Sequence, residues 1–117
     1  DVLVVETEQK FLDSGLARID KSLAKLAEKA VEKGKLAEQA KSDSAAVRAR
    51  IRGSLDRKAL ADRDLVVEAI VEDLPTKLAL FQDLGRICKP ATILASNTSS
   101  FPVGEMAAPK NATTRLA

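Results

Sequence analysis

Side chains able to do chemistry gather in three places. The first is Glu6, which closes the β-branched run Asp1-Val-Leu-Val-Val-Glu6. An acid at the C-terminal tip of a buried parallel strand stands where dinucleotide-binding sheets accept hydrogen bonds from the adenine ribose hydroxyls, and its charge repels a 2′-phosphate. A solvated strand-end or first-turn acid fits the same position. The second place holds Glu68, an acid inside an apolar segment that needs a buried partner or a sheet edge, and Glu72 at its end, which could face a cofactor. It also holds Asn97-Thr-Ser-Ser100, hydroxyl and amide groups after an apolar run, where parallel sheets bind ligands and where a plain polar turn would look alike. In the third, Lys21, Lys25, Lys29 and Lys33 recur every four residues as a basic stripe. That stripe suits a coenzyme phosphate, or equally a solvated face with Lys25–Glu28 and Lys29–Glu32 pairs.

Composition removes several alternatives. The 117 residues contain no histidine, so the commonest general base and a common metal ligand are missing, and no zinc-type cluster exists. A net charge of +2, with signs interleaved, and only three aromatic residues argue against a nucleic-acid partner. The apolar runs are too short to span a bilayer. The single cysteine, Cys88, can form no internal disulfide and reads as a core or helix-end thiol in a reducing compartment, cytoplasmic or an organelle matrix.

The elements that must position these residues follow from periodicity. Asp1 to Glu6 reads as a strand buried on both faces. Leu12, Leu16, Ile19, Leu23, Leu26 and Ala30 then recur at steps of four and three, the stripe of a long helix ending near Gly34. Leu36 to Arg50 reads as a second, antiparallel helix, so a hairpin covers about residues 8–50. Ile51 to Leu55 is a short strand candidate, and Asp56 to Asp64 a polar connection with room for one helical turn. Leu65 to Val71 is a strand, followed by a helix capped by Asp73, started by Pro75 and stopped at Pro90. Thr92 to Ser96 is a further strand, with a short helical turn around Val103 to Ala108. Alternating strands and helices predict an α/β fold with parallel strands.

The run Asp64-Leu-Val-Val-Glu-Ala-Ile-Val-Glu72, followed by Leu94-Ala-Ser-Asn-Thr-Ser-Ser100, resembles the 3-hydroxyacyl-CoA dehydrogenase family. The strand ending in Glu6 and the Lys-rich helix precede these motifs at the family's spacing. The resemblance implies an incomplete Rossmann-type parallel sheet with a protruding helical hairpin, residues 1–117 being part of an NAD-binding domain. It implies NAD as cofactor and an acyl-CoA as substrate. Glu6 takes the ribose position, where many members have Asp. Glu72 and Lys77 match contacts on the nicotinamide side, Ser99 the serine near the substrate's 3-oxygen, and Ser22 and Lys29 the contacts to the coenzyme A portion.

By the same resemblance the Gly-rich phosphate loop lies before residue 1. The catalytic His, the Glu that orients it and a substrate-side Asn lie beyond residue 117, with the C-terminal helical domain that completes pocket and dimer. The 117 residues alone are therefore expected to be inactive and poorly stable. Two rivals remain at this stage: a sister sugar-acid dehydrogenase on the same scaffold, for which the lysine stripe is superfluous, and a non-enzymatic module whose leucine stripe docks a partner helix.

Overall fold

In the computed structural model, which describes residues 1–106 and 115–116, strands and helices alternate as the pattern requires. They fall into two compact units, Asp1–Asp56 and Arg57–Ala117.

The first unit runs β1 (Val2–Val5), α1 (Gln9–Glu32), α2 (Ala37–Ala49) and β2 (Ile51–Ser54). The strands pair in parallel, Val2 opposite Ile51 and Val5 opposite Ser54. Two further bonds extend the ladder, from Val2 N–H to the Arg50 carbonyl at 2.9 Å and from Glu6 N–H to the Ser54 carbonyl at 3.1 Å. The hairpin turns at Gly34, whose φ of 95° is open to glycine at little cost. With Gly34 in that conformation, its N–H donates to the Val31 carbonyl at 2.9 Å and that of Lys35 to the Ala30 carbonyl at 3.0 Å. This is the Schellman arrangement, which satisfies the last carbonyls of α1. The second helix is tied to the first by Ser44 Oγ, which donates to the Leu23 carbonyl at 3.3 Å, and by the Arg48–Asp20 ion pair at 2.5 Å.

Leu12 is buried, and Gly53 of β2 is what makes room for it: a Cβ there would stand 2.8 Å from both Leu12 methyls. The rest of the predicted stripe is half-buried except Leu26, which is 61% exposed. At about 100° per residue, Leu26 falls on the shoulder of the stripe. The expected burial of the first strand on both faces is also not met, since Val2 is exposed and its neighbours are half-buried. A two-stranded sheet with a helix against one face leaves the other to solvent.

The second unit contains a 3-10 turn (Arg57–Leu60), β3 (Leu65–Glu68), α3 (Leu74–Ile87), β4 (Ile93–Ser96), α4 (Val103–Met106) and β5 (Arg115–Leu116). All three strands are parallel in the order β3-β4-β5. Its buried apolar residues are Leu60, Val66, Phe81, Leu84, Leu94 and Met106. At the N-terminal ends of β3 and β4, Ile93 N–H donates to the Asp64 carbonyl at 2.9 Å and Thr92 Oγ1 to the Arg63 carbonyl at 2.6 Å, while Lys89 pairs with Asp64 at 2.6 Å. Asp73 caps α3 by accepting from Thr76 N–H at 3.0 Å, with Pro75 in the first turn. Cys88 is the helix-end thiol expected: half-buried, its Sγ 3.6 Å from the Leu60 carbonyl, and pushed up in pKa by burial.

The elements depart from the sequence pattern in particular places. The third strand ends at Glu68 and not Val71, because Ile70 N–H turns to the Glu68 carboxylate at 2.7 Å and leaves the ladder. Of the helical turn expected around Val103 to Ala108, Val103–Met106 is helical, and Ala107 and Ala108 lie outside the described residues. The strand β5 had no sequence signal, being two residues long. The pairings β1 with β2, β3 with β4 and β4 with β5 are those that the order 3-2-1-4-5-6 gives second with third, fourth with fifth and fifth with sixth, the places the family resemblance assigns to these strands.

Replacing Gly34 by Ala is expected to cost about 1 kcal/mol, the left-handed penalty partly offset by lower unfolded-state entropy. A urea titration of the protein carrying this segment checks it. An unchanged midpoint would show that the turn does not require the left-handed conformation.

Candidate functional site

The alternation of β3 places Val66 and Glu68 on its buried face and leaves Leu65 and Val67 exposed. Glu68 is thereby carried into the interior at the strand's C-terminal end, where a carboxylate is tolerated only with a partner. The partner comes from α3. Fixed by the Asp73 cap, the helix brings Lys77 inward one turn later, and its side chain is fully enclosed.

Lys77 Nζ lies 2.6 Å from Glu68 Oε1 and 3.2 Å from Glu72 Oε2. Glu68 Oε1 also accepts from Ile70 N–H, and Glu68 Oε2 accepts from Ser96 Oγ at 2.6 Å. Ser96 Oγ in turn accepts from Thr98 N–H at 3.2 Å. Thr98 Oγ1 donates to Glu72 Oε1 and accepts from Ser100 N–H at 3.3 Å and Phe101 N–H at 3.4 Å. The contacts close a ring through Glu68, Lys77, Glu72, Thr98 and Ser96.

Charge states follow from the ring. Burial pushes the Glu68 carboxyl up, but hydrogen bonds from Lys77, Ser96 and Ile70 outweigh it and hold the group below its ordinary 4.5. The hydrogen bond from Thr98 lowers Glu72, with Lys77 adding to it. Burial pushes Lys77 down, and the two carboxylates more than reverse that, so its pKa lies above 10.5. All three groups are charged at neutral pH.

Of the site residues read from sequence, Glu72, Lys77 and Ser99 fall together at the C-terminal ends of β3 and β4. Glu72 is 42% exposed at its side chain, Ser99 is exposed, and Lys77 is wholly covered, with two of its three donors on carboxylates. The other three lie in the first unit. Glu6 stands half-buried just past β1, its carboxylate accepting a 3.4 Å bond from Thr7 N–H. Ser22 and Lys29 lie exposed on α1. None of Lys21, Lys25, Lys29 and Lys33 forms an ion pair among the described residues, so the pairs with Glu28 and Glu32 are not made. Sequence reasoning required a partner for Glu68 without finding it, missed the role of Ser96, and named Thr98 within the Asn97-Thr-Ser-Ser100 run without its bond to Glu72. A buried acid followed by a lysine one turn into the next helix is the signal that could have found the pair. Among the described residues no His, Cys, Asp and Glu group could hold a metal, and no helix is long and apolar enough to cross a membrane.

Glu6 keeps lone pairs beyond its bond from Thr7 N–H, and in the second unit Glu72 presents a fixed, half-exposed carboxylate beside an enclosed ammonium. Parallel strands with helical crossovers and polar groups at the strands' C-terminal ends define an α/β protein of the dinucleotide-binding class. The 3-hydroxyacyl-CoA dehydrogenase family, NAD binding domain, matches residues 1–117, and the chain belongs to that family. It is 49% identical over 107 residues to a probable 3-hydroxybutyryl-CoA dehydrogenase of Deinococcus radiodurans, covering 92% of this chain and 36% of that protein. A probable 3-hydroxybutyryl-CoA dehydrogenase of Bacillus subtilis is 39% identical over 115 residues, with coverages of 98% and 38%. The crystal structure of 3-hydroxybutyryl-CoA dehydrogenase from Escherichia coli K12 superposes with a TM-score of 0.82 at 32% identity, over 98% of this chain and 23% of that one. The chain thus spans well under half the length of these relatives.

The linkage has a definite sign. Glu68, depressed in the folded state, stabilises above its unfolded value and loses that contribution as pH falls through its folded one, below 4.5. Lys77, raised, stabilises below 10.5 and loses the contribution as pH rises through its folded value. Between these limits the ring's contribution is flat. Lys77→Met leaves a buried carboxylate unpaired and is expected to cost about 3–5 kcal/mol at pH 7. The deficit should shrink toward pH 5 as Glu68 takes up a proton. Urea unfolding at both pH values measures it, and a deficit independent of pH would mean that the carboxylate is not buried alone.

Proposed function

We propose that this chain is the NAD-binding part of a longer 3-hydroxyacyl-CoA dehydrogenase, which oxidises a 3-hydroxyacyl-CoA to the 3-oxo thioester. The observation that carries the reading is the match of the family's NAD binding domain to residues 1–117. When bound, NAD accepts the hydride from C3 of the substrate. Glu6 accepts hydrogen bonds from the adenine ribose, and its charge disfavours a 2′-phosphate. Glu72, braced by Lys77 and Thr98, holds the nicotinamide side. Ser99, exposed beside Thr98, orients the substrate's 3-oxygen. Ser22 and Lys29 meet the coenzyme A portion. The base that takes the hydroxyl proton is a His in the resembling family. With no histidine in these residues it must come from another part of the longer protein, where the resemblance also places the dimer contacts. We place the reaction where thiols stay reduced, in cytoplasm or an organelle matrix, in keeping with the free Cys88.

Against the rival helical module, the second helix and β2 both pack against α1 and Leu12 is buried on Gly53, so much of the leucine stripe is used within the chain, Leu26 alone of it being exposed. Against the sugar-acid rival stands the lysine stripe, free of carboxylate partners among the described residues and therefore available to phosphate.

Two measurements on the full-length protein test the assignment. Ser99→Ala is expected to lower turnover roughly ten- to a thousandfold, the range for a positioning hydrogen bond of about 1.5 to 4 kcal/mol; unchanged turnover at saturating NAD and substrate would overturn the role of Ser99. Lys29→Gln is expected to raise the KM for acyl-CoA more than it lowers kcat, because a remote phosphate contact contributes mostly uniform binding. A substrate stripped of its CoA nucleotide should barely register the change, and equal sensitivity of both substrates would make the stripe a solvated face.

A further inference from the structure

The contacts around Glu68 reach further than a buried ion pair needs to. Its two carboxylate oxygens serve three donors on three segments: Lys77 on α3, Ile70 N–H in the turn after β3, and Ser96 at the end of β4. Two of those donors lead outward. Lys77 passes to Glu72, and Ser96 accepts from Thr98 N–H, whose hydroxyl bonds Glu72 and receives the N–H groups of Ser100 and Phe101. The backbone on both sides of Ser99 is therefore held by groups that trace back to Glu68. Glu68 itself is 3% exposed as a residue and touches no solvent-facing ligand position.

We propose that Glu68 is a positioning residue for the nicotinamide side of the cofactor site, fixing Glu72 through Lys77 and the Asn97–Ser100 loop through Ser96. The inference rests on the reading of Glu72 as a cofactor contact. Its basis is directional. A carboxylate at position 68 only accepts, so Ser96 must donate inward and keep its lone pair for Thr98 N–H. A Gln would match the shape but present an amide donor to Ser96, so the hydroxyl would have to accept from both neighbours and its own proton would lose its acceptor. Gln would also leave Glu72 as the one carboxylate against Lys77, drawing it toward the ammonium and away from the exposed side where a ligand would meet it. Glu6, read as the adenine-ribose contact, is not part of this chain of contacts.

The test compares NAD with ADP-ribose, which lacks the nicotinamide, by calorimetry on the full-length protein. Glu68→Gln is expected to weaken NAD binding about tenfold, the loss of one positioned hydrogen bond, and to leave ADP-ribose affinity unchanged. Ser96→Ala cuts the second arm of the ring without removing a charge, and should show the same selective loss to a smaller degree; it carries the test alone if Glu68→Gln does not fold. Equal losses for both ligands, or no loss for NAD, would overturn the positioning role. If the unsubstituted protein bound neither ligand, the cofactor reading would fall first and this inference with it.

Discussion

An ammonium ion enclosed without counter-charge would shed its proton or prevent folding, and Lys77 is both enclosed and charged. The local geometry of the second unit follows from meeting that demand. Glu68 must arrive on the buried face of β3, so the strand's alternation has to hold to its last residue. The helix must start where it does, because moving its first residue by one would rotate Lys77 by about 100° away from both carboxylates. The Asp73 cap and Pro75 fix that start, which makes an exposed N-cap answerable for a buried ion pair.

Stability does not explain such an arrangement. A buried ion pair gains little or nothing over apolar residues of the same volume, since desolvation offsets the Coulomb attraction. What charges offer and methyl groups lack is direction: each carboxylate oxygen of the ring has an assigned donor. The half-exposed Glu72 is the member where that order reaches the surface, at the strand ends where parallel sheets bind ligands. A carboxylate held from two sides presents its remaining lone pairs at fixed angles, which an ordinary surface acid does not do.

Sequence made most of the scaffold legible, for physical reasons that also mark where it stopped. The stripe from Leu12 to Ala30 announced α1 because helical period is written in every third and fourth residue, and Gly34 announced its end because few other residues adopt a φ of 95°. The apolar run from Leu65 to Val71 overstated β3, because the bond that ends it joins Ile70 N–H to a side chain two residues back, and no hydropathy pattern encodes that. Two-residue β5 was invisible, as short pairings depend on neighbours and not on their own composition. At the site, Glu72 and the Asn97-Thr-Ser-Ser100 run were legible as polar groups after strands. The partners of Ser96 and Thr98 were not, because a hydroxyl at a strand end looks the same whether it faces water or a carboxylate.

Lysine appears here in two physical regimes, and the contrast separates what each site can do. Along α1 the four stripe lysines are solvent-exposed with no ion-pair partner among the described residues, so their attraction for an anion is screened within about 8–10 Å at ordinary salt. Such charges attract an anion weakly and hold it loosely. Lys77 acts at 2.6 Å and 3.2 Å, covered from solvent, where an interaction is strong and its geometry persistent. It cannot release Glu68 without leaving a buried carboxylate unpaired, so the arrangement it supports stays built. A screened surface charge and a fixed interior contact are thus distinguished by burial alone, with the same side chain in both.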